Sequence, residues 1–348
     1  MPENTAEIRE RAIMRGLDFI YALACDKRQF GEYGYDLINC FYFISETSLD
    51  PVLRRTARRK GKERAREWRR KHSNLSPRAD VGTVFEYIQG SYAADKFGFR
   101  DPVTKERIRE AAKRITALDY FYFDPANEPP PSDASQPCWC GLLNERGRKT
   151  CRKCKRRLNL LSRYGIWYDA LIAAYTCERY GVIVGARYVD VLKWLPTMRP
   201  YPKLDDTENS DFYDSVYAAT HIVYTLNDYS TYRLSPKWLP QEFDLLKDNL
   251  KSAIAASDPE MMGEFLDALK AFGLEGGHPL IREGVEFLLS TQNADGSWGS
   301  TRVRDTYQRY HPTWTAIDGL RDYRWRGERL SFPRIKPLLD SWNAQSAT

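Results

Sequence analysis

Apolar side chains recur at spacings of three and four residues along most of the chain, the period that gathers them on one face of an α-helix. The pattern predicts twelve helices: Ala12–Asp26, Tyr35–Thr47, Asp50–His72, Val81–Asp95, Thr104–Ala117, Ser162–Tyr180, Tyr188–Leu195, Phe212–Tyr229, Pro240–Ser257, Pro259–Phe272, Pro279–Gln292 and His311–Tyr323. No convincing alternating tract predicts a strand. Breakers stand between the segments: Glu275-Gly276-Gly277, Asp295-Gly296, and Pro51, Pro102, Pro236, Pro259 and Pro279.

The segments are of two kinds. Asp50–His72, Thr104–Ala117 and Pro240–Ser257 are amphipathic and charged, as helices facing water should be. Tyr35–Thr47, Ser162–Tyr180, Phe212–Tyr229 and His311–Tyr323 are apolar or aromatic on nearly every face, as helices buried on all sides should be. Charged outer segments alternating with apolar inner ones predict an all-α fold, an (α/α)6 toroid of six helix pairs around a central hollow. Pro259–Phe272 is the weakest inner member. Residues 1–348 then form one toroid domain, with residues 125–157 as an insertion between the fifth and sixth helices. An internal echo agrees with pairing: Tyr217-Ala-Ala-Thr220-His221 resembles Tyr310-His-Pro-Thr313-Trp314.

Composition adds three points. Apolar residues make up 42% and aromatics 13% of 348 residues, so a large core can form with rings to spare for lining a cavity. The net charge of +6 is no general nucleic-acid signature. The basic residues cluster in Arg54–His72 and Arg146–Arg157, which suits either a solvated outer helix or a dock for an anionic partner. Neither a signal peptide nor an apolar run of the ~20 residues a membrane span needs is visible, so a soluble cytoplasmic protein is expected.

Cys138-Trp-Cys140 and Cys151-Arg-Lys-Cys154 form two close thiol pairs separated by ten residues. Four thiolates so arranged suit tetrahedral zinc, and a site closed by four sulfurs is structural, pinning the insertion. A recognition knuckle and disulfides are the other readings. Cys25, Cys40 and Cys177 sit within helices as small apolar residues.

The most unusual segment is Phe212–Tyr229. Asp214, Tyr217, His221, Tyr224 and Asp228 follow one another at helical spacing on one face. Such a stripe is too polar for plain packing, since each buried polar group without a partner costs a few kcal/mol. His311 opens the twelfth segment, with Asp318 on its face. Two assignments fit. One is a second divalent-metal site built from His221, His311 and Asp214. The other makes His221 a general acid or base held by Asp214 or Asp228. Simple satisfaction of each His by a neighbour is the third reading. Tyr35, Trp167, Tyr168, Tyr224 and Trp314 are the candidate substrate-binding rings, with Asp36, Glu86 and Tyr87 near them.

The tract Gln292-Asn-Ala-Asp-Gly-Ser-Trp-Gly299, followed by Tyr310-His-Pro-Thr-Trp-Thr-Ala-Ile-Asp-Gly-Leu320, resembles the repeat of squalene–hopene cyclases, and a similar turn and helix occur in protein prenyltransferase β subunits. The resemblance covers about the last thirty-five residues; it implies the toroid, favours terpenoid-cyclase-like cyclisation or prenyl chemistry, and leaves the reaction open. It departs from those families where chemistry is carried. Lys203-Leu-Asp205-Asp206-Thr207 lacks the leading aspartate of the cyclase acid motif, and Asn227-Asp228 with Thr231 lacks the glutamate of the metal motif of class I terpene synthases, where Ser235 stands. The expected function is therefore an enzyme of specialised metabolism acting on a hydrophobic or aromatic small molecule, with a metal-dependent enzyme and a zinc-containing adaptor as alternatives.

Overall fold

The computed structural model describes residues 5–135, 142, 144–145, 148–156, 158, 160–202 and 210–345. Its helices are α1 Thr5–Cys25, α2 Lys27–Thr47, α3 Pro51–Lys71, α4 Val81–Lys96, α5 Pro102–Ala112, α6 Ala117–Phe121, α7 Arg163–Tyr180, α8 Tyr188–Leu192, α9 Leu195–Met198, α10 Ser210–Leu226, α11 Pro240–Ala255, α12 Pro259–Ala271, α13 Pro279–Thr291, α14 Tyr307–Leu320 and α15 Lys336–Gln345. The described chain is all-helical apart from two three-residue strands, β1 Asp133–Ser135 and β2 Leu160–Ser162, which pair antiparallel across the insertion. That ladder is a correction to the strand-free expectation. It is too short for alternation to register in the sequence.

Local chemistry explains where the helices begin. Asp26, Asp50, Asp80, Asp101 and Asp258 cap α2, α3, α4, α5 and α12 by accepting backbone N–H bonds, and prolines open α3, α5, α11, α12 and α13. The predicted Tyr188–Leu195 segment is instead two short helices, and α15 lies beyond the last predicted element. α10 ends at Leu226, and Asp228, Tyr229 and Ser230 all take left-handed backbone conformations.

Six helices touch in a closed cycle: α2 on α4, α4 on α7, α7 on α10, α10 on α12, α12 on α14, and α14 back on α2. Others pack outside that cycle, α1 on α2 and α14, α3 on α2 and α4, α5 on α4, α8 on α7, α11 on α10 and α12, and α13 on α12 and α14. The apolar core follows the cycle, with Trp68, Trp167, Trp298, Phe41 and Phe265 fully buried. Pro259–Phe272, the weakest inner candidate by pattern, is buried continuously from Met261 to Ala271. The Gln292–Gly299 turn ties three helices together. Trp298 Nε1–H donates to the Leu288 carbonyl at 2.7 Å, and its backbone N–H to Thr313 Oγ1 at 3.0 Å. The Gln292 amide donates to the Ala12 carbonyl at 2.8 Å.

The basic helix α3 is only partly a solvent face. Lys60 is buried, paired with Asp18 at 2.9 Å. The Arg69 guanidinium bonds the Phe99 carbonyl, Ser91 and Asp95. Arg55, Arg59, Lys62 and Arg66 are exposed. No described helix is long and apolar enough to cross a membrane.

Candidate active site

The helices of the cycle enclose a cavity of about 480 Å³. Three of them bring polar groups together beside it. On α12, Glu260 and Glu264 stand one turn apart on the same face. α14 brings His311, whose Nδ1 lies 3.0 Å from Glu260 Oε1. α10 brings Thr220 and His221: the Thr220 hydroxyl donates to Glu264 Oε2 at 2.5 Å, and His221 Nδ1 lies 3.8 Å from that oxygen. One ligand atom from each of Glu260, Glu264 and His311 falls within 4.8 Å of the others.

The imidazoles are held by rings and backbone. His221 stacks on Tyr168 at 5.0 Å, and its Nδ1 lies 2.6 Å from the Tyr217 carbonyl. A carbonyl can only accept, so Nδ1 carries the proton and Nε2 keeps the lone pair. His311 stacks on Tyr307 at 4.6 Å and meets Trp314 edge-on.

Burial and neighbouring charge push the four groups apart. Burial depresses His221 to about 4, against the pull of the Tyr217 carbonyl. Burial would depress His311 too, but the Glu260 charge and hydrogen bond, with Glu264 and Asp36 behind them, carry it up to about 9. Burial raises Glu264 to about 8 despite His311 and Thr220. It also works upward on Glu260, which the His311 cation nonetheless holds below the usual glutamate range. With no metal bound, the wall at neutral pH is a His311–Glu260 ion pair beside a neutral His221 and a protonated Glu264. A metal would draw both protons off and take the three side chains as oxygen and nitrogen ligands, a donor set that suits divalent iron, manganese or zinc.

Several expected site residues fall elsewhere. Asp214 is not part of this group: it accepts a 2.6 Å hydrogen bond from Ser162, the N-cap of α7. Its place is taken by the α12 glutamates, because α12 lies directly against α14 whereas Asp214 sits in the first turns of α10. Asp228 leaves the stripe because α10 ends before it. Its carboxylate instead takes the Tyr175 hydroxyl at 2.5 Å and Arg179 at 2.9 Å. Trp167 turns away from the cavity, fully buried, with its Nε1–H on the Val191 carbonyl at 2.9 Å. Tyr217 is near the group through its carbonyl and through the Glu260 charge, which adds to burial in raising its phenol. Tyr35, Tyr224 and Trp314 line the cavity, as do His221 and His311.

Glu260 and Glu264 were not singled out by pattern, yet the sequence carries a signal for Glu264. In Met261-Met-Gly-Glu-Phe-Leu-Asp-Ala-Leu-Lys-Ala271, the charges Glu264, Asp267 and Lys270 recur every three residues inside an otherwise apolar run. A helix buried all round has no solvent for those charges, so they require partners. Two of them find partners away from the metal-type group: Asp267 accepts from Ser230 at 2.6 Å, and Lys270 donates to the Arg321 carbonyl at 3.0 Å.

Of the thiol cluster, Cys138 and Cys140 lie outside the described residues. Cys151 is buried, and the Cys154 N–H donates to its sulfur at 3.5 Å, with Lys155 in a left-handed conformation closing the turn. Asp205 and Asp206 also lie outside the described residues.

Burial, then the Asp318 charge, raises Asp267 to about 7. An unfolded aspartate titrates near about 3.9, so between about 4 and about 7 the folded chain keeps a proton that the unfolded chain releases. Asp267 therefore withdraws stability as pH rises through that window. Asp267→Asn is expected to gain stability relative to the parent protein as pH rises, read as the gap in urea midpoints at about pH 4.5 and about pH 7.5. A gap independent of pH would show that Asp267 titrates normally.

No family model matches the chain, and no curated protein or solved structure matches it. Nothing in these comparisons identifies a terpenoid-cyclase family for the tract from Gln292 to Leu320.

Proposed function

We propose that this chain is a metal-dependent enzyme built as an (α/α)6 toroid, acting on a small molecule with a hydrophobic or aromatic body in the central hollow. The closed cycle of six helices with others packed outside it supports the toroid. One observation carries the enzyme reading: Glu260, Glu264 and His311 bring three ligand atoms within 4.8 Å of one another beside a ring-lined cavity. Bound there, a divalent ion would supply Lewis-acid polarisation of a substrate oxygen or an activated water. The chain's own groups do the rest. Thr220 and Tyr217 hold Glu264 and His221 in place, Nε2 of neutral His221 can accept a proton, and Tyr224, Tyr307 and Trp314 confine an apolar body.

The same proposal gives Cys138, Cys140, Cys151 and Cys154 a structural zinc. The Cys154 N–H bond to the Cys151 sulfur supports it, because such bonds stabilise a thiolate and orient it. A cytoplasmic location and an anionic partner on the exposed side of α3 remain parts of the proposal.

Elemental analysis tests both metals at once. About two metal ions per chain are expected, one lost on Cys151→Ser and the other on His311→Ala or Glu264→Gln. The second ion should bind at least about 100-fold more weakly to His311→Ala than to the parent protein. A protein that takes up only the cysteine-bound ion would end the metal-dependent reading. A second reading would then stand, favoured by the pKa of Glu264 near 8 among aromatic rings: a metal-free cyclase-like enzyme with Glu264 as the proton donor.

A further inference from the structure

The cavity wall carries an imbalance of charge that the glutamate–histidine group does not account for. Five carboxylates line it: Asp36, Asp169, Glu264, Asp267 and Asp318. Four have partners. Asp36 takes the Tyr310 hydroxyl at 2.5 Å, Glu264 takes Thr220, Asp267 takes Ser230, and Asp318 takes the Arg321 guanidinium at 2.6 Å. Asp169, on α7, has no hydrogen bond or ion pair to any described residue, and its side chain is accessible from the cavity. The nearby carboxylate of Asp214 makes matters worse for it: after burial, that charge helps raise Asp169 to about 7.

What surrounds Asp169 is aromatic. Tyr120 and Tyr122 line the same cavity as Asp169, and the Asp169 charge adds to burial in raising both phenols. Tyr120 meets Phe85 at 5.1 Å, the rings inclined by 54°, and both line the cavity together with Tyr35. A carboxylate without a partner among the described residues, in a cavity lined by rings, is a receptor for a positive charge on an apolar body. The carboxylate supplies the counter-charge, and the rings add cation–π attraction. An anion there would be repelled by the Asp169 charge. Asp169 is exposed to the cavity, so a neutral ligand covering it would take its water away and leave the charge uncompensated.

We propose that the substrate is an organic cation, an ammonium group on a hydrophobic or aromatic body, with the charge held by Asp169 between Tyr120, Tyr122 and Phe85. The apolar body would extend toward the His221–Glu264–His311 wall across the same cavity. This specifies the substrate class of the active site proposed above and rests on that reading for the chemistry, though binding can be tested without it.

The full-length, metal-free protein would be titrated by calorimetry with benzyltrimethylammonium, and with benzyl alcohol and phenylacetate as neutral and anionic comparators, at about pH 8 so that Asp169 is ionised. The cation is expected to bind at least about tenfold more tightly than either comparator. Asp169→Asn, isosteric and checked for an unchanged unfolding midpoint, should weaken the cation about tenfold or more and leave benzyl alcohol unaffected. Phe85→Leu, a second variant at the ring corner, should weaken it by a smaller factor. Metal uptake by the parent protein is read separately, by elemental analysis. Equal binding of cation and alcohol, or indifference to Asp169→Asn, overturns the cation assignment. Cation binding with no metal uptake overturns the metal centre and leaves the cation site standing.

Discussion

Gly263→Ala is expected to destabilise the protein by about 3 kcal/mol or more and to loosen the glutamate–histidine wall with it. A Cβ at position 263 would lie 2.3 Å from the carbonyl carbon and oxygen of Thr315 and 2.7 Å from the Ala316 nitrogen. Those are backbone atoms of α14, so no side-chain rotamer can relieve the overlap. Gly319 repeats the close approach from the other side, since a Cβ there would meet the Gly263 Cα at 2.9 Å. The two helices touch through bare backbone at this crossing, and the only response to an added methyl is to move them apart. Their separation also sets the site, because Glu260 and Glu264 ride on α12 and His311 on α14, with 3.0 Å between His311 Nδ1 and Glu260. Urea unfolding should show the loss of stability, and metal titration a weaker second ion. A change below about 1 kcal/mol would mean that the crossing is looser than it stands here.

Glu242→Ala is expected to cost about 3–5 kcal/mol, the penalty for leaving a buried cation without its partner. Glu242 is fully buried in the first turn of α11, where the helix dipole also favours a negative charge. Its carboxylate receives Arg199 Nε at 2.9 Å, Arg199 Nη2 at 2.5 Å and the Tyr201 hydroxyl at 2.5 Å. Removing it strands a guanidinium that is itself almost inaccessible to water, and a phenol beside it. The double variant Arg199→Met/Glu242→Leu should recover most of the loss, because replacing both charges removes the desolvation cost that one alone creates. Chemical denaturation of the single and double variants decides the matter. A double variant as unstable as Glu242→Ala would place the cost in packing rather than in charge.

The organisation of the site explains why it was only partly legible beforehand. His221 and His311 stand out because a histidine on an aromatic helix face has few bland roles. Asp214 and Asp228 looked equally suitable because they share the helical period of His221, and period is all that a sequence states about facing. α10 ends at Leu226, so the period stops applying before Asp228 is reached. Asp214 is claimed by Ser162, which comes from the end of β2 and is the N-cap of α7. Glu260 and Glu264 go unmarked because Pro259–Phe272 is the weakest inner segment by pattern, and its period does not show that the helix is buried from Met261 to Ala271. Trp167 shows the same limit, since α7 is apolar on nearly every face and its pattern does not tell the cavity side from the α8 side.

The chain alone determined that this protein is helical, where most of its helices begin and stop, and which stretches are apolar enough to be enclosed. Those are local properties, fixed by the spacing of apolar side chains, by aspartate caps and by prolines that act within a turn or two. Only the tertiary structure decided which carboxylates meet the two histidines, that Asp169 has no partner among the described residues, and that α12 and α14 cross on glycine. Such facts depend on which helices become neighbours, and that is set by packing between segments far apart in sequence, where a difference of one ångström at a backbone contact outweighs any pattern along the chain.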